Sequence, residues 1–283
     1  MADSTELKHR IRSIKDTHQI TKAMELISIA KLRKVMQKQS FSSIYFDSVR
    51  YTVKDILLHS PDVINPYTQK RKGNRTAYIV IAGDKGLCGS YNNDVLKLAW
   101  QDIQTRPEHY VITIGQMARS FFESKERSID LAFTHAVTDP TLHDARGVTR
   151  DILYAYDKNL MDEVFLVFTH MYSPSFRKPE IIRLLPVLPE DIKIDVKPTF
   201  SGDILYDQDP NEILKVIVPQ YLIGLIYSAL IHASACEHTA RRTAMSNANQ
   251  NADKILDELN LQYNKLRQDK ITTELADLSA GRI

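Results

Sequence analysis

Residues 1–60 contain neither glycine nor proline, and neither do residues 225–280. No other feature constrains the fold so strongly. Helices end at such breakers, and each stretch is far longer than a mean helix of about 11–12 residues. As single helices they would run roughly 90 Å and 84 Å at about 1.5 Å per residue. Periodic stretches of this length point to a coiled coil. Two helices of matched length at opposite ends of a chain can pair antiparallel if the middle segment brings the chain back. In the C-terminal stretch "SALIHASACEHTARRTAMSNANQNA" is rich in small residues, which let helix backbones approach closely. Beyond it Leu256, Leu259, Tyr263 and Leu266 step as a short coiled-coil seam.

The middle of the chain has a different period. "TAYIVIA" (76–82), "YVITIG" (110–115), "SIDLAF" (128–133), "EVFLVFTHMY" (163–172) and "PEIIRLLPV" (179–187) are β-rich runs. Helix-like stretches lie near 92–104, 116–125 and 141–159. Such alternation implies a mostly parallel sheet covered by helices. "SPSFRK" reads as a hairpin turn between the last two strands. The expected fold class is therefore α/β: a long antiparallel coiled coil of the terminal helices with an inserted Rossmann-like α/β domain. The segments are 1–60 (N-terminal helix), 75–195 (α/β domain) and 210–283 (C-terminal helix). Residues 61–75 read as a polar linker.

Composition narrows the functional classes. A net charge of +2 gives no overall field for nucleic acid. No apolar run is read as reaching the roughly 18–20 residues of a membrane span. The first residues lack the apolar core of a secretory signal, and Asp3 and Glu6 count against a transit peptide. Cys88 and Cys236, far apart in sequence, fit a reducing compartment better than a disulfide.

The first helix carries more apolar surface than one partner requires. On a helical wheel Ile20, Ala23, Leu26, Ile27 and Ala30 form a stripe sufficient for one partner helix, while Ile29, Leu32 and Met36 fall on the other side. Isolated exposed apolar residues are ordinary, but three on one face favour contact from a second side. Residues 7–38 also hold nine Lys or Arg against two acids. Aromatic residues that would stack nucleic-acid bases are absent there, and an acidic protein surface fits the excess.

The stretch "IAGDKGLCGSYN" (81–92) resembles a phosphate cradle, but its glycines fail both templates. A P-loop places its lysine after the last glycine, whereas Lys85 precedes Gly86. A dinucleotide fingerprint is G-x-G-x-x-G with an acid at a later strand end. Here the spacing is G-x-x-G-x-x-G, and Asp102 falls within a helix. The turn reads instead as a strand-to-helix connection that needs glycine for close packing. His232 and Cys236 stand four apart on one helix without a third metal ligand nearby. Asp130, Glu163 and Glu180 lie at strand edges without an arguable pairing. No catalytic constellation emerges.

Five blocks, in order, then resemble the γ subunit of F-type ATP synthases. They are "ITKAME" with "AKLRK" (20–34), "GDKGLCGSYN" (83–92), "LYDQDP" (205–210), "ACEHTARRTAM" (235–245) and "LQYNKLRQDKITTEL" (261–275). The resemblance implies a central stalk: a coiled coil inside a ring of three α and three β subunits, standing on a membrane ring of c subunits with ε beside it. It implies a rotor that couples ion flow to the cycling of β, with no catalytic residue, cofactor or metal of its own. Lys22, Met24, Glu25 and Cys88 would lie near the β lever loop, and Arg267, Gln268 and Thr272 near the β catch. Tyr206, Asp207 and Asp209 would lie at the foot, near ε and the c ring. The lack of a leader would fit the cytoplasmic face of a bacterial plasma membrane. The chain departs from the family in the more apolar "LISIAKLRK", in Arg242 after Arg241 and in Ser90 for a common glycine. The alternatives are a small nucleotide-binding α/β enzyme and a coiled-coil tether.

Overall fold

The computed structural model describes residues 4–60, 63–126, 129–133, 137–193 and 209–281. They fall into two compact units, one made of Met1–Ala30 with Arg241–Ile283 and the other of Lys31–Ala240. The elements are α1 (Ser4–His59), β1 (Thr76–Ile81), α2 (Tyr91–Ile103), β2 (His109–Ile114), α3 (Gln116–Ser124), β3 (Leu131–Phe133), α4 (Leu142–Asp157), β4 (Glu163–Met171), β5 (Arg177–Leu185), a 3-10 turn (Pro189–Asp191) and α5 (Pro210–Ala280).

In the larger unit the strands form one sheet in the order β3-β2-β1-β4-β5. Neighbours pair parallel except β4 and β5, which pair antiparallel as their hairpin turn requires. β1 is central, and all six of its residues are buried. Its alternation divides the core in two. Tyr78 and Val80 face α2 and α3, among Val95, Leu96, Ala99 and Phe122. Ala77, Ile79 and Ile81 face the other way, toward α4 and the parts of α1 and α5 in this unit. A sheet covered on both faces explains why its strands read as continuous apolar runs.

Segment 63–75 is more than a linker. The Asn65 side chain accepts from the Tyr67 amide at 3.0 Å. The Arg71 guanidinium lies 3.6 Å from the Tyr156 ring centroid. Arg75 binds Asp162 through its backbone amide, Nε and Nη2 at 2.9–3.0 Å.

The C-terminal helix extends past its breaker-free stretch. α5 begins at Pro210 and continues through Pro219 and Gly224. An internal proline forfeits a backbone hydrogen bond, at a cost of about 3 kcal/mol. Burial of Leu214, Val218, Leu222, Ile226 and Leu230 offsets it, since each buried aliphatic side chain contributes about 1.5–3 kcal/mol. Gly224 has its own reason. A Cβ there would stand 2.4 Å from the Phe46 ring of α1.

No charged residue occurs between Val216 and Cys236, which corrects the expectation that no apolar run has spanning length. α5 is long and apolar enough to cross a membrane, its best 18-residue window averaging a hydropathy of 1.7. Half of that window is buried inside the protein, as a core helix of a folded unit also would be.

Candidate functional site

The smaller unit is a pair of helices. On α5 the residues turned inward are Met245, Asn249, Ala252, Leu256, Leu259, Tyr263 and Leu266. Their alternating steps of four and three contain the seam expected at Leu256, Leu259, Tyr263 and Leu266. On α1 the inward residues are Leu7, Ile11, Ile14, His18, Thr21, Met24, Glu25 and Ser28. Lys8 lies over the Tyr263 ring at 5.5 Å, His18 meets Asp253 at 3.4 Å, and Thr21 meets Asn249 at 2.5 Å. Partner numbers fall as α1 numbers rise, so the helices run antiparallel.

The wheel assigned the wrong stripe to this partner. Ile20, Leu26 and Ile27 are 61%, 57% and 55% exposed, and Ala23 and Ala30 are exposed with them. The face that meets α5 is partly polar, built on Thr21, Glu25 and Ser28. Hydropathy alone cannot find such a seam, because its polar groups are satisfied within α1 and by Asn249 of the partner helix. Of the residues expected on the second side, Ile29 is half-buried, Leu32 packs into the sheet core of the larger unit and Met36 is exposed.

The expected partner-binding residues divide accordingly. Lys22 is exposed and pairs with Glu25 at 3.1 Å. The Lys22 ammonium, with help from Asn249 and Ser246, holds the Glu25 carboxyl below its ordinary pKa. Met24 is half-buried, and its carbonyl accepts from Ser28 Oγ at 2.7 Å. Arg267, Gln268 and Thr272 are exposed near the end of α5, where Thr272 Oγ1 donates to the Gln268 carbonyl at 2.9 Å. Asp209 caps α5, its side chain accepting from the Asn211 amide at 3.0 Å and its carbonyl from Glu212 and Ile213. Tyr206 and Asp207 lie outside the described residues. The positive excess on α1 is partly consumed within the larger unit, where Lys34 and Lys38 both bind Asp139 at 2.8 and 2.6 Å. They hold that carboxyl below its usual pKa.

The glycine turn after β1 is clamped onto α5. Asn92 Oδ1 accepts from the Gly83 amide at 2.8 Å, and Asn92 Nδ2 reaches Cys88 Sγ at 3.2 Å. Tyr91 Oη donates to the Ala233 carbonyl at 3.0 Å. A Cβ on Gly83 would come within 2.9 Å of the Glu237 carboxyl carbon, so the turn and that side chain of α5 approach closely here. Asp84 accepts from the Gln116 amide and from Thr138 Oγ1. A phosphate beside Gly83 would find its amide taken and the Asp84 and Glu237 carboxylates nearby. The thiol expected to face a partner is turned inward instead. Cys88 is 2% exposed and packs with Tyr91, Cys236 and Ala240. The outward surface of the turn is Lys85, Gly86 and Leu87, and Leu87 sits at a φ of 61°.

His232 and Cys236 do not form a metal site. His232 stacks on His170 with ring centroids 4.2 Å apart, and burial lowers its pKa to about 4. Burial raises the Cys236 thiol to about 12, and its Sγ faces the Thr169 carbonyl at 3.6 Å. Among the described residues no group of three or more His, Cys, Asp or Glu side chains is placed to hold a metal ion.

The fold defines a class of protein in which a five-stranded α/β sheet is bracketed in sequence by long, paired terminal helices. A family model for ATP synthase matches residues 3–282. The ATP synthase gamma chain of Ruminiclostridium cellulolyticum is 39% identical over 98% of this chain and 96% of its own length. That of Alkaliphilus metalliredigens is 37% identical over 98% and 96%. A chain of the Euglena gracilis mitochondrial ATP synthase (OSCP/F1/c-ring, rotational state 3) superposes with a TM-score of 0.70 at 18% identity, covering 98% of this chain and 92% of its own. A chain from the central stalk and c-ring of the Tetrahymena thermophila mitochondrial enzyme gives 0.62 at 18%, covering 81% and 99%. The chain belongs to the ATP synthase gamma chain family.

Proposed function

We propose that this chain is the rotor shaft of an F1Fo-type ATP synthase and is not itself catalytic. It couples ion flow through a membrane c ring to the conformational cycling of catalytic β subunits. Its partners are an α3β3 hexamer, the c ring and an ε subunit. It sits peripherally, on the cytoplasmic face of a bacterial plasma membrane. The observation that carries this reading is the antiparallel pair of α1 and α5 in a chain of this family. A pair closed by a continuous seam resists twisting between its strands, as torque transmission requires. The exposed stripe Ile20, Leu26 and Ile27 with Lys22 offers a surrounding ring apolar contact flanked by positive charge. Arg267, Gln268 and Thr272 lie exposed further along α5, suited to a second contact with β. Exposed ion pairs contribute only about 0–1 kcal/mol each, so shape and packing carry most of the torque. Lys85, Gly86 and Leu87 replace the inward Cys88 as the contact surface of the glycine turn, and Asp209 with Tyr206 and Asp207 belongs to the foot.

Reconstitution tests the proposal. Purified chain added to α and β subunits of a related synthase should yield an ATP-hydrolysing complex, and ATP titrated into the chain alone should show no saturable binding. A chain that binds micromolar nucleotide by itself and fails to assemble with α and β would refute the proposal in favour of an enzyme. One that neither binds nucleotide nor assembles would point to a tether.

A further inference from the structure

The seam of the smaller unit contains one buried side-chain amide. Asn249 is 6% exposed on α5, between the buried apolar residues Met245 and Leu259 of the same face. Its two polar ends have different partners. Oδ1 accepts from Thr21 Oγ1 at 2.5 Å, and Nδ2 donates to Glu25 Oε2 at 2.9 Å. The same Glu25 oxygen accepts from Lys22 Nζ at 3.1 Å. We propose that Asn249 sets the register of the α1/α5 pair and positions the Glu25 carboxylate.

The orientation of the amide follows from the chemistry. A carboxylate only accepts, so the amide must present its NH2 to Glu25 and its carbonyl to the Thr21 hydroxyl. A flipped amide would set oxygen against oxygen. Heptad seams otherwise allow slippage, because one apolar residue serves much like the next seven positions away. A single polar residue in such a seam specifies register. Sliding α5 by one heptad in one direction would bring Leu256 opposite Thr21 and Glu25, and a leucine has no donor for the carboxylate. Sliding it the other way would bring Arg242, whose guanidinium could meet Glu25 only by carrying a charge into the seam. The observed register instead matches a neutral amide to both groups.

Fixing Glu25 has a further consequence. Thr21, Lys22 and Glu25 occupy one turn of α1, and Asn249 ties that turn to the opposite helix. The carboxylate is thereby held in one rotamer beside Lys22, at the edge of the exposed stripe. Ser246 on α5 adds to the groups that favour its charged form, and the nearby His18 is engaged with Asp253. This inference concerns the chain alone and does not depend on the rotor reading.

The test uses the full chain with Cys88 and Cys236 replaced by alanine and spin labels on the exposed positions Ser13 and Asn260. Pulsed electron paramagnetic resonance should give one narrow distance. Asn249→Leu should add a second, longer-distance population, as α5 slides along α1 by about 10 Å, one heptad of rise. Carbon-13 titration of the Glu25 side chain should show its pKa rising toward the ordinary value, a change that loss of packing alone would not produce. Glu25→Gln, whose carbonyl can still accept from Asn249, should keep the single distance. Asn249→Asp, isosteric but acceptor-only, should also raise the Glu25 pKa, and it serves if the leucine variant does not fold. A single unshifted distance in Asn249→Leu would overturn the proposal. So would an unchanged Glu25 titration in either Asn249 variant.

Discussion

Gly115→Ala tests the account of the α/β unit most directly. Gly115 stands between β2 and α3 at φ 95° and ψ 146°, a region that only glycine enters without strain. Forcing alanine into it costs about 1–3 kcal/mol. The added methyl would also lie 2.1 Å from the carbonyl oxygen of Ala82 and 3.2 Å from that of Gly83. Ordinary contact would require a retreat of roughly 1 Å, an overpacking that costs about another 1–3 kcal/mol. The retreat cannot come from a flexible side chain, because both oxygens are backbone at the end of β1, and the Gly83 carbonyl also accepts from the Met117 amide at 3.0 Å. The combined loss is about 2–6 kcal/mol. With a urea slope of about 2–3 kcal/mol/M, the unfolding midpoint should fall by at least about 0.7 M. Gly86→Ala is the matched control, since a Cβ there meets nothing within 4 Å and the backbone needs no positive φ. Its midpoint should stay within about 0.3 M of the parent. Equal midpoints for the two variants would refute the argument that the second strand-to-helix turn is held by backbone contact at Gly115.

Gly147 lies inside α4 with open space around its missing Cβ, so Gly147→Ala should raise stability by about 0.5–1 kcal/mol by restricting the unfolded chain; a lower unfolding midpoint would count against the helix there. The Arg75 side chain, above other causes, holds the buried Asp162 carboxyl below its ordinary pKa. The folded value therefore lies below the unfolded one, and the pair's contribution is complete above the unfolded carboxylate pKa and fades as pH falls through the folded value. Asp162→Asn should lower stability by about 1–3 kcal/mol at neutral pH and flatten the acid limb, and an unchanged acid limb would contradict the assignment. Leu26→Asp should leave the melting temperature of the isolated chain within about 3 °C, as an exposed substitution does, yet weaken assembly with α and β. Leu259→Asp, at a buried seam position, should destabilise the helix pair in the isolated chain by about 3 kcal/mol or more, and circular dichroism melts that rank the two variants the other way would restore the stripe to α5.

Much of this was legible in the chain. The alternation of apolar runs and helical stretches located all five strands and the helices between them, because a sheet covered on both faces needs continuously apolar strands. The absence of breakers announced the two long helices, and the 4-3 stepping of Leu256, Leu259, Tyr263 and Leu266 identified one side of their seam. Those properties are local, depending on the period of each segment and on backbone propensity.

What the sequence left open was decided by neighbours distant in the chain. Pro219 and Gly224 lie inside the segment 210–283 read as the C-terminal helix, and only the tertiary structure shows the burial of Val218 and Leu222 around them and the Phe46 ring against Gly224. Cys88 looks like the exposed tip of a glycine turn until Asn92, Tyr91 and α5 close over it. The wheel of α1 marked apolar residues on two sides, and the tertiary structure set against α5 a face that hydropathy had not singled out. That face is partly polar: Asn249 arrives from α5 to meet Thr21 and Glu25, beside the contacts they make within their own helix, while Ile20, Leu26 and Ile27 stay exposed. Burial of apolar surface follows local pattern, whereas satisfaction of a buried polar group depends on where its partner arrives in space.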